Sequence, residues 1–317
     1  LGEKDKGKLV VLIGPTAVGK TKLSIELAKK LGGEIISGDS MQVYRGMDIG
    51  TAKIQKEEMD GIPHHLIDIK DPTDSFSVAE FQLIVRERID EIHRRGCLPM
   101  IVGGTGLYIQ SVIYDYQFTE NTSDPEYSDS LEAIAATEGV LAVHNMLREI
   151  DPESADRIHP NNIRRVIRAL EIFRSSGLTM GQYQEKQETE LVYDTVLIGL
   201  TMERDILYDR INLRVDHMID NGLLEEVSAL YNKGVKECQS IQAIGYKEIY
   251  EYLDGKISLA EATQQLKQNS RRYAKRQLTW FRNKMNVRWF DMTEANQGRF
   301  NQMLDEILKY IAGKLKI

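Results

Sequence analysis

The chain has 317 residues and only two cysteines, Cys97 and Cys238, far apart and without partners at metal-ligand spacing. That excludes a disulfide framework and a cysteine-based zinc site, and fits two reduced thiols in a cytoplasmic protein. Six histidines are scattered along the chain without a His-x-x-x-His pair; the adjacent His64 and His65 would point apart in an extended segment. No window approaches the roughly 18 uninterrupted apolar residues of a membrane span. The first residues, Leu-Gly-Glu-Lys-Asp-Lys-Gly-Lys, lack both the apolar core of a signal peptide and an initiator Met, as a trimmed end would. A net charge of −7 argues against indiscriminate coating of nucleic acid. There is no internal repeat. The Asn-Lys-x-Asp guanine reader of a GTPase switch is missing too, since Asn232-Lys233 is followed by Gly-Val and Asn283-Lys284 by Met-Asn.

What is present is more telling. Gly14-Pro15-Thr16-Ala17-Val18-Gly19-Lys20-Thr21 fits G-x-x-x-x-G-K-[ST] at every fixed position. It follows the apolar run Leu9-Val10-Val11-Leu12-Ile13 and precedes the helical pattern Leu23, Ile25, Leu27, Ala28. In that setting backbone N–H groups close around an anion, and the following helix aims its positive end at the same point. Lys20 would neutralise phosphate oxygens, and the Thr21 hydroxyl is placed to touch a bound Mg²⁺. The loop recognises a polyphosphate or diphosphate without specifying the reaction.

Short apolar strands read at 8–13, 34–38, 98–103, 195–200 and 286–290, with helices near 20–31, 78–95, 204–232 and from about 240 to 284. Such alternation predicts a parallel sheet covered on both faces, with ligands beyond the carboxyl ends of its strands. Polar and Gly-rich residues cluster after three strands: Gly14 to Thr21, Ser37-Gly38-Asp39-Ser40, and Gly103-Gly104-Thr105-Gly106. Three loops on one rim predict one site. Residues 116–190 break the alternation, from a polar turn-rich opening at 119–125 to a Gln/Glu-rich close at 182–190. We expect a helical insertion there, carried by a core of 1–115 and 191–317.

Within the rim, Asp39 has the options of Mg²⁺ ligand, ribose binder, general base or simple turn cap. Thr105 is the one side-chain hydroxyl in a loop with three glycines in four residues; it offers a donor, or merely a tight turn. Arg210 and Arg214 stand i, i+4 on one helix face, suited to a diphosphate or to solvent. From Ala262 to Phe290 there is no acidic residue, while Lys267, Arg271, Arg272, Lys275, Arg276, Arg282, Lys284 and Arg288 alternate with Tyr273, Trp280, Phe281 and Trp289. Arg164, Arg165, Arg168 and Arg174 form a second basic group. Both predict contacts to a phosphate backbone, with the aromatics available for stacking on unpaired bases.

These blocks together resemble the tRNA dimethylallyltransferases (tRNA isopentenyltransferases) in their bacterial form. The matching residues include the phosphate loop, Ser37-Gly38-Asp39-Ser40-Met41-Gln42-Val43-Tyr44, Asp48-Ile49-Gly50-Thr51-Ala52-Lys53 and Pro63-His64-His65-Leu66-Ile67-Asp68. They continue through Val102-Gly103-Gly104-Thr105-Gly106-Leu107-Tyr108, Arg168-Ala169-Leu170-Glu171 and Ile244-Gly245-Tyr246-Lys247-Glu248 to Tyr273-Ala274-Lys275-Arg276-Gln277-Leu278-Thr279-Trp280-Phe281-Arg282. No zinc-finger extension of the kind eukaryotic relatives carry is expected, in keeping with the cysteine count.

The resemblance implies a P-loop NTPase-like α/β fold, with a parallel sheet covered on both faces and an all-helical insertion contacting tRNA. It implies transfer of a dimethylallyl group from dimethylallyl diphosphate to N6 of adenine 37 in tRNA, by a monomer that needs Mg²⁺. The phosphate loop then holds the diphosphate leaving group through Gly14, Pro15, Thr16, Ala17, Val18, Gly19, Lys20 and Thr21, and Thr21 touches the metal. Asp39 takes the proton of the exocyclic amine, Thr105 bonds the bridging oxygen, and Arg214 stabilises diphosphate. Val215-Asp216-His217-Met218 departs from the family, which more often has Asp before Met, so Arg210 stays as the alternative. The anticodon stem-loop would be gripped by Asp39, Ser40, Met41 and Gln42, by Arg164, Arg165 and Arg168, and by Arg271, Arg272, Lys275, Arg276 and Arg282. A metabolite phosphotransferase would have no need of the basic C-terminal helix, and a free-adenylate prenyltransferase no need of the insertion.

Overall fold

The computed structural model describes residues 6–116, 118, 124–186, 190–295 and 298–317. Residues 119–123 of the turn-rich opening of the insertion, and 187–189 of its Gln/Glu-rich close, lie outside the described residues. The described chain divides into two compact units, one of Leu1–Ile113 with Leu191–Ile317 and one of Tyr114–Glu190. No described helix is long and apolar enough to cross a membrane.

The larger unit is built on six parallel strands: β1 (Lys8–Ile13), β2 (Gly33–Gly38), β3 (His64–His65), β4 (Leu98–Gly103), β5 (Asp194–Thr201) and β6 (Arg288–Asp291). Their order is β3-β2-β4-β1-β5-β6, so β1 runs between β4 and β5. Leu9 to Ile13 are fully buried, as expected of a central parallel strand covered on both faces. The helices are α1 (Lys20–Leu31), α2 (Val78–Arg94) and α3 (Gly106–Ile113) on the N-terminal side of the insertion. The insertion unit holds α4 (Pro125–Thr137), α5 (Val140–Ile150), α6 (Pro152–Arg157), α7 (Ile163–Ser176) and α8 (Met180–Glu185). After it come α9 (Arg204–Asp220), α10 (Leu223–Asn232), α11 (Tyr246–Leu253), α12 (Leu259–Lys284) and α13 (Phe300–Leu315).

Leu23, Leu27 and Ala28 turn one face of α1 into a core that also takes Ile198 and Leu200 from β5 and Leu304, Ile307 and Ile311 from α13. The sequence pattern shows α1 and the longer strands but not β3 or α13, and it merges elements that the chain separates. The stretch 204–232 breaks at Asn221-Gly222, where Gly222 has φ 98. The stretch from 240 is a single 3₁₀ turn (Ser240–Gln242), then α11, then α12. Ser258 starts α12 with a reciprocal cap, its hydroxyl accepting from Glu261 N–H while the Glu261 carboxylate accepts from Ser258 N–H.

In the insertion unit, Leu131, Val143, Leu147, Val166 and Leu170 form a separate core. Asp151 joins two of its helices, accepting from Ser154 N–H at 3.0 Å and from Met180 N–H at 2.9 Å.

At the sheet edge, buried Glu34 accepts two hydrogen bonds from Arg95, at 3.0 and 2.7 Å, and lies 2.7 Å from His65 Nε2. The Arg95 guanidinium holds the Glu34 carboxyl at about 2, against burial, with help from His65. A depressed carboxylate stabilises the fold above its unfolded value, near 4.5, and loses that contribution as pH falls through about 2. Glu34→Gln is therefore expected to cost about 1–2 kcal/mol at neutral pH, toward the low end for bonds to a charged group because Arg95 is half exposed. Denaturant melts from pH 7 to 2 should show the difference shrinking below pH 4.5.

Candidate active site

The carboxyl ends of β1, β2 and β4 lie side by side, so the loops that follow them share one rim. Gly38 and Gly103 face each other in register. A Cβ on Gly103 would stand 2.4 Å from the Gly38 carbonyl carbon, so only glycine lets these strand ends close. Thr105 N–H then donates to Gly38 O at 3.2 Å and ties the third loop to the second. On the first loop, Ala17 has φ 65, and Gly19, capping α1, has φ 103. This left-handed backbone curls the loop around the N-terminus of α1. Lys20 reaches back along it, its ammonium donating to Gly14 O at 2.9 Å and Pro15 O at 2.8 Å.

Two chambers open at this rim, of about 510 and 400 Å³. The first is walled by Gly19, Lys20, Thr21 and Arg210; the second by Ser40, Met41, Thr105, Met218 and Lys247. Thr16, Asp39, Thr51, Arg214 and Tyr273 line both. Asp39, Lys20 and Arg214 feel one another across this cleft. Burial raises the Asp39 carboxyl above the usual range, opposed by Met41 N–H, Lys20 and Arg214. Burial, helped by the Arg214 charge and opposed by Asp39, lowers the Lys20 ammonium to about 7. Burial also lowers Arg214, with Asp39 opposing. Two cations crowded with one acid give the cleft a lining that suits an anion.

Asp39 is both the turn cap and the cleft acid that its sequence position allows. Its Oδ1 accepts Met41 N–H at 2.8 Å while the carboxyl lines both chambers. Thr105 Oγ1 accepts Ser40 N–H at 3.2 Å. Gln42 lines the first chamber only, its Oε1 accepting from Ser37 Oγ at 2.9 Å. Arg210 and Arg214 of α9 both line the first chamber. Arg214 sits within electrostatic reach of Lys20 and Asp39, and Arg210 lies by Gly19.

Several residues here were not singled out from the sequence as part of the cleft. Gln277 bonds two of the loops, accepting Thr16 N–H and donating to Gly104 O, each at 3.0 Å. Tyr273 lies one turn earlier on the same face of α12, its hydroxyl pushed up to about 12, chiefly by burial. Their i, i+4 spacing was the available signal. Glu226 of α10 accepts N–H bonds from Asp48, Ile49 and Gly50, at 2.9, 2.8 and 3.1 Å, and the Tyr246 hydroxyl at 2.6 Å. That carboxylate holds the backbone leading into Thr51.

The basic residues separate by environment. Arg272, Lys275, Arg276 and Arg282 are exposed on α12, whereas Arg271 is half-buried and bonds Asn212. Lys267 pairs with Asp216 at 2.5 Å. The interleaved aromatics are not a row of free stacking platforms. Phe281 is in the core, Trp280 packs where a Gly106 side chain would be, and Trp289 covers Gly199. In the insertion unit Arg164 and Arg165 are exposed, and Arg168 bonds Glu171 at 3.3 Å. Among the described residues no three His, Cys, Asp or Glu side chains group as a metal cage. Thr21 offers a hydroxyl at the wall of the first chamber.

Two family models match the chain, "IPP transferase" over residues 42–284 and "Isopentenyl transferase" over residues 7–75. Proteins named tRNA dimethylallyltransferase from Bacillus cereus and Bacillus thuringiensis are each 66% identical over 317 residues, all of this chain and 98% and 97% of theirs. A crystal structure of full-length tRNA isopentenylpyrophosphate transferase from Bacillus halodurans matches with TM-score 0.75 and 59% identity, over 98% of this chain and 97% of that one. A structure of a eukaryotic dimethylallyltransferase described as acting on tRNA matches with TM-score 0.81 and 32% identity, over 95% of this chain and 78% of that one. With the phosphate loop, the cleft acid and the parallel sheet already in place, this similarity along the full length leaves one conclusion: the chain belongs to the IPP transferase family, that of the tRNA dimethylallyltransferases.

Proposed function

We propose that the chain transfers the dimethylallyl group of dimethylallyl diphosphate to N6 of adenine 37 in tRNA. The observation that carries this is the junction of the two chambers, where a cleft acid, Asp39, stands between a phosphate loop and a second cavity. Diphosphate occupies the first chamber, cradled by the loop amides that follow Thr16 and neutralised by Lys20 and Arg214, with Arg210 as an outer cation. The adenine, turned out of its loop, enters the second chamber.

The bond between the prenyl carbon and the bridging oxygen breaks, and its electron pair leaves with diphosphate. Thr105 donates a hydrogen bond to that oxygen as its charge grows. N6 bonds the prenyl carbon and loses one proton to the Asp39 carboxylate. The donors at the loop are hard oxygens, which suit Mg²⁺, an ion that keeps several waters and takes its other ligands from phosphate. Thr21 is the protein group that would hold it, and the ion would add charge stabilisation at the leaving group. The exposed cations Arg272, Lys275, Arg276 and Arg282, with Arg164 and Arg165 of the insertion unit, suit the phosphates of an anticodon stem-loop. Arg271 and Arg168 are already bonded within the protein and contribute less.

The test is transfer of label from dimethylallyl diphosphate to unmodified tRNA with Mg²⁺, against AMP as rival acceptor and ATP as rival donor. Label mapped to one adenosine beside the anticodon is the expected result. Label in AMP alone, or ATP consumption without prenyl transfer, would overturn the proposal. Arg272→Ala with Arg276→Ala should weaken tRNA binding on the order of 10-fold and reduce the salt slope by up to about 2, while leaving diphosphate binding unchanged. Binding titrations between 50 and 200 mM salt check this.

A further inference from the structure

The side chain of Gln277 spans two rim loops that are far apart in sequence. Its Oε1 accepts the Thr16 N–H of the phosphate loop, and its Nε2 donates to Gly104 O, next to Thr105. Gln277 is buried, and the helix that carries it runs along the cleft with Tyr273 one turn away. The chemistry allows one orientation of the amide: an N–H needs the oxygen and a carbonyl needs the nitrogen. Gly104 leaves room for it, because a Cβ there would fall 2.0 Å from Nε2. Thr16 N–H is thus spent on the helix, which anchors the loop at the chamber wall while the amides after it remain for an anion.

We infer that Gln277 is a positioning residue for the transfer step, a strut that fixes the diphosphate cradle relative to the loop bearing Thr105. This rests on the functional reading above. Departure of the prenyl group needs the Thr105 hydroxyl at the bridging oxygen while the amides and Lys20 hold the outer phosphate. Those donors come from two loops, whose spacing a shared two-ended hydrogen bond sets. Misplacement on the scale of 1 Å costs on the order of 10²-fold in such a step. Only glutamine has both the reach and the paired donor and acceptor: Glu lacks the donor, Met both, and Asn the length.

The experiment is single-turnover transfer to tRNA with Gln277→Met, Thr105→Ala and the double variant. Gln277→Met should slow the step on the order of 10- to 100-fold with tRNA affinity within about 2-fold. Added to Thr105→Ala it should cost less than about 3-fold more, because no Thr105 contact is left to position. Independent effects would multiply, and a structural defect would lower the fraction of active enzyme rather than the rate constant of the active fraction. If Gln277→Met does not fold, Gly104→Ala serves, since it pushes the amide aside without altering Gln277, and the same rate loss and the same lack of additivity with Thr105→Ala are expected. A rate within about 2-fold of the parent, or losses that multiply, overturns the strut. Failure of the functional reading shows up separately, as no labelled tRNA from the parent protein.

Discussion

Asp39→Asn is expected to slow the single-turnover transfer step by on the order of 10²-fold or more, the scale of a lost general base, with tRNA affinity nearly unchanged. The substitution is chosen to keep geometry. The Asn carbonyl oxygen can still accept the Met41 N–H that Asp39 takes at 2.8 Å, so the turn survives. What goes is the ability to receive the N6 proton. The pH profile separates these roles. Burial raises the Asp39 carboxyl, so the acidic limb of the parent profile should fall above the usual carboxylate range, and it should vanish in the Asn variant. An Asn variant with full rate would reduce Asp39 to a turn cap.

Lys20→Met is expected to lower transfer by on the order of 10²- to 10³-fold, the cost of one lost charge-stabilising donor at the leaving group. It should also change how stability depends on pH. In the folded protein Lys20 titrates at about 7, against 10.5 as its ordinary value. Between these pH values the unfolded chain binds the extra proton, so this group makes stability rise with pH; below about 7 its full cost is present. Met carries no such cost. The melting temperature of ligand-free Lys20→Met relative to the parent should therefore be most favourable at pH 6 to 7 and decline toward pH 10. A difference independent of pH would mean that Lys20 is not held in a desolvated, cation-rich cleft. Diphosphate binding should follow the same linkage in the parent. It takes up a proton at pH 8, seen as a buffer-dependent heat in calorimetry, and Lys20→Met should abolish that uptake.

Local pattern carried much of the fold. Strands β1 and β4 and helix α1 coincide with their sequence patterns, because a fully apolar run and a 3.6-residue repeat report burial directly. The two-residue β3 has no pattern to detect, and α13 was missed although its Leu304, Ile307, Ile311 and Leu315 have helical spacing. The break at Gly222 was read through, because one glycine within a helical repeat does not by itself end it.

The cleft divides along the same line. A contiguous loop whose conformation is set by its own glycines, such as Gly14 to Thr21, can be read from sequence, as can its place at the carboxyl end of a strand. Tertiary structure alone decided that Gln277 meets Thr16 across 261 positions, that Arg271 spends its guanidinium on Asn212, and that Trp280 and Phe281 turn inward. It also decided that both Arg210 and Arg214 line the first chamber. The physical reason is reach. Backbone conformation is encoded within a few residues of itself, whereas the partner of a side chain depends on which distant segment the packed core brings to within 3 Å.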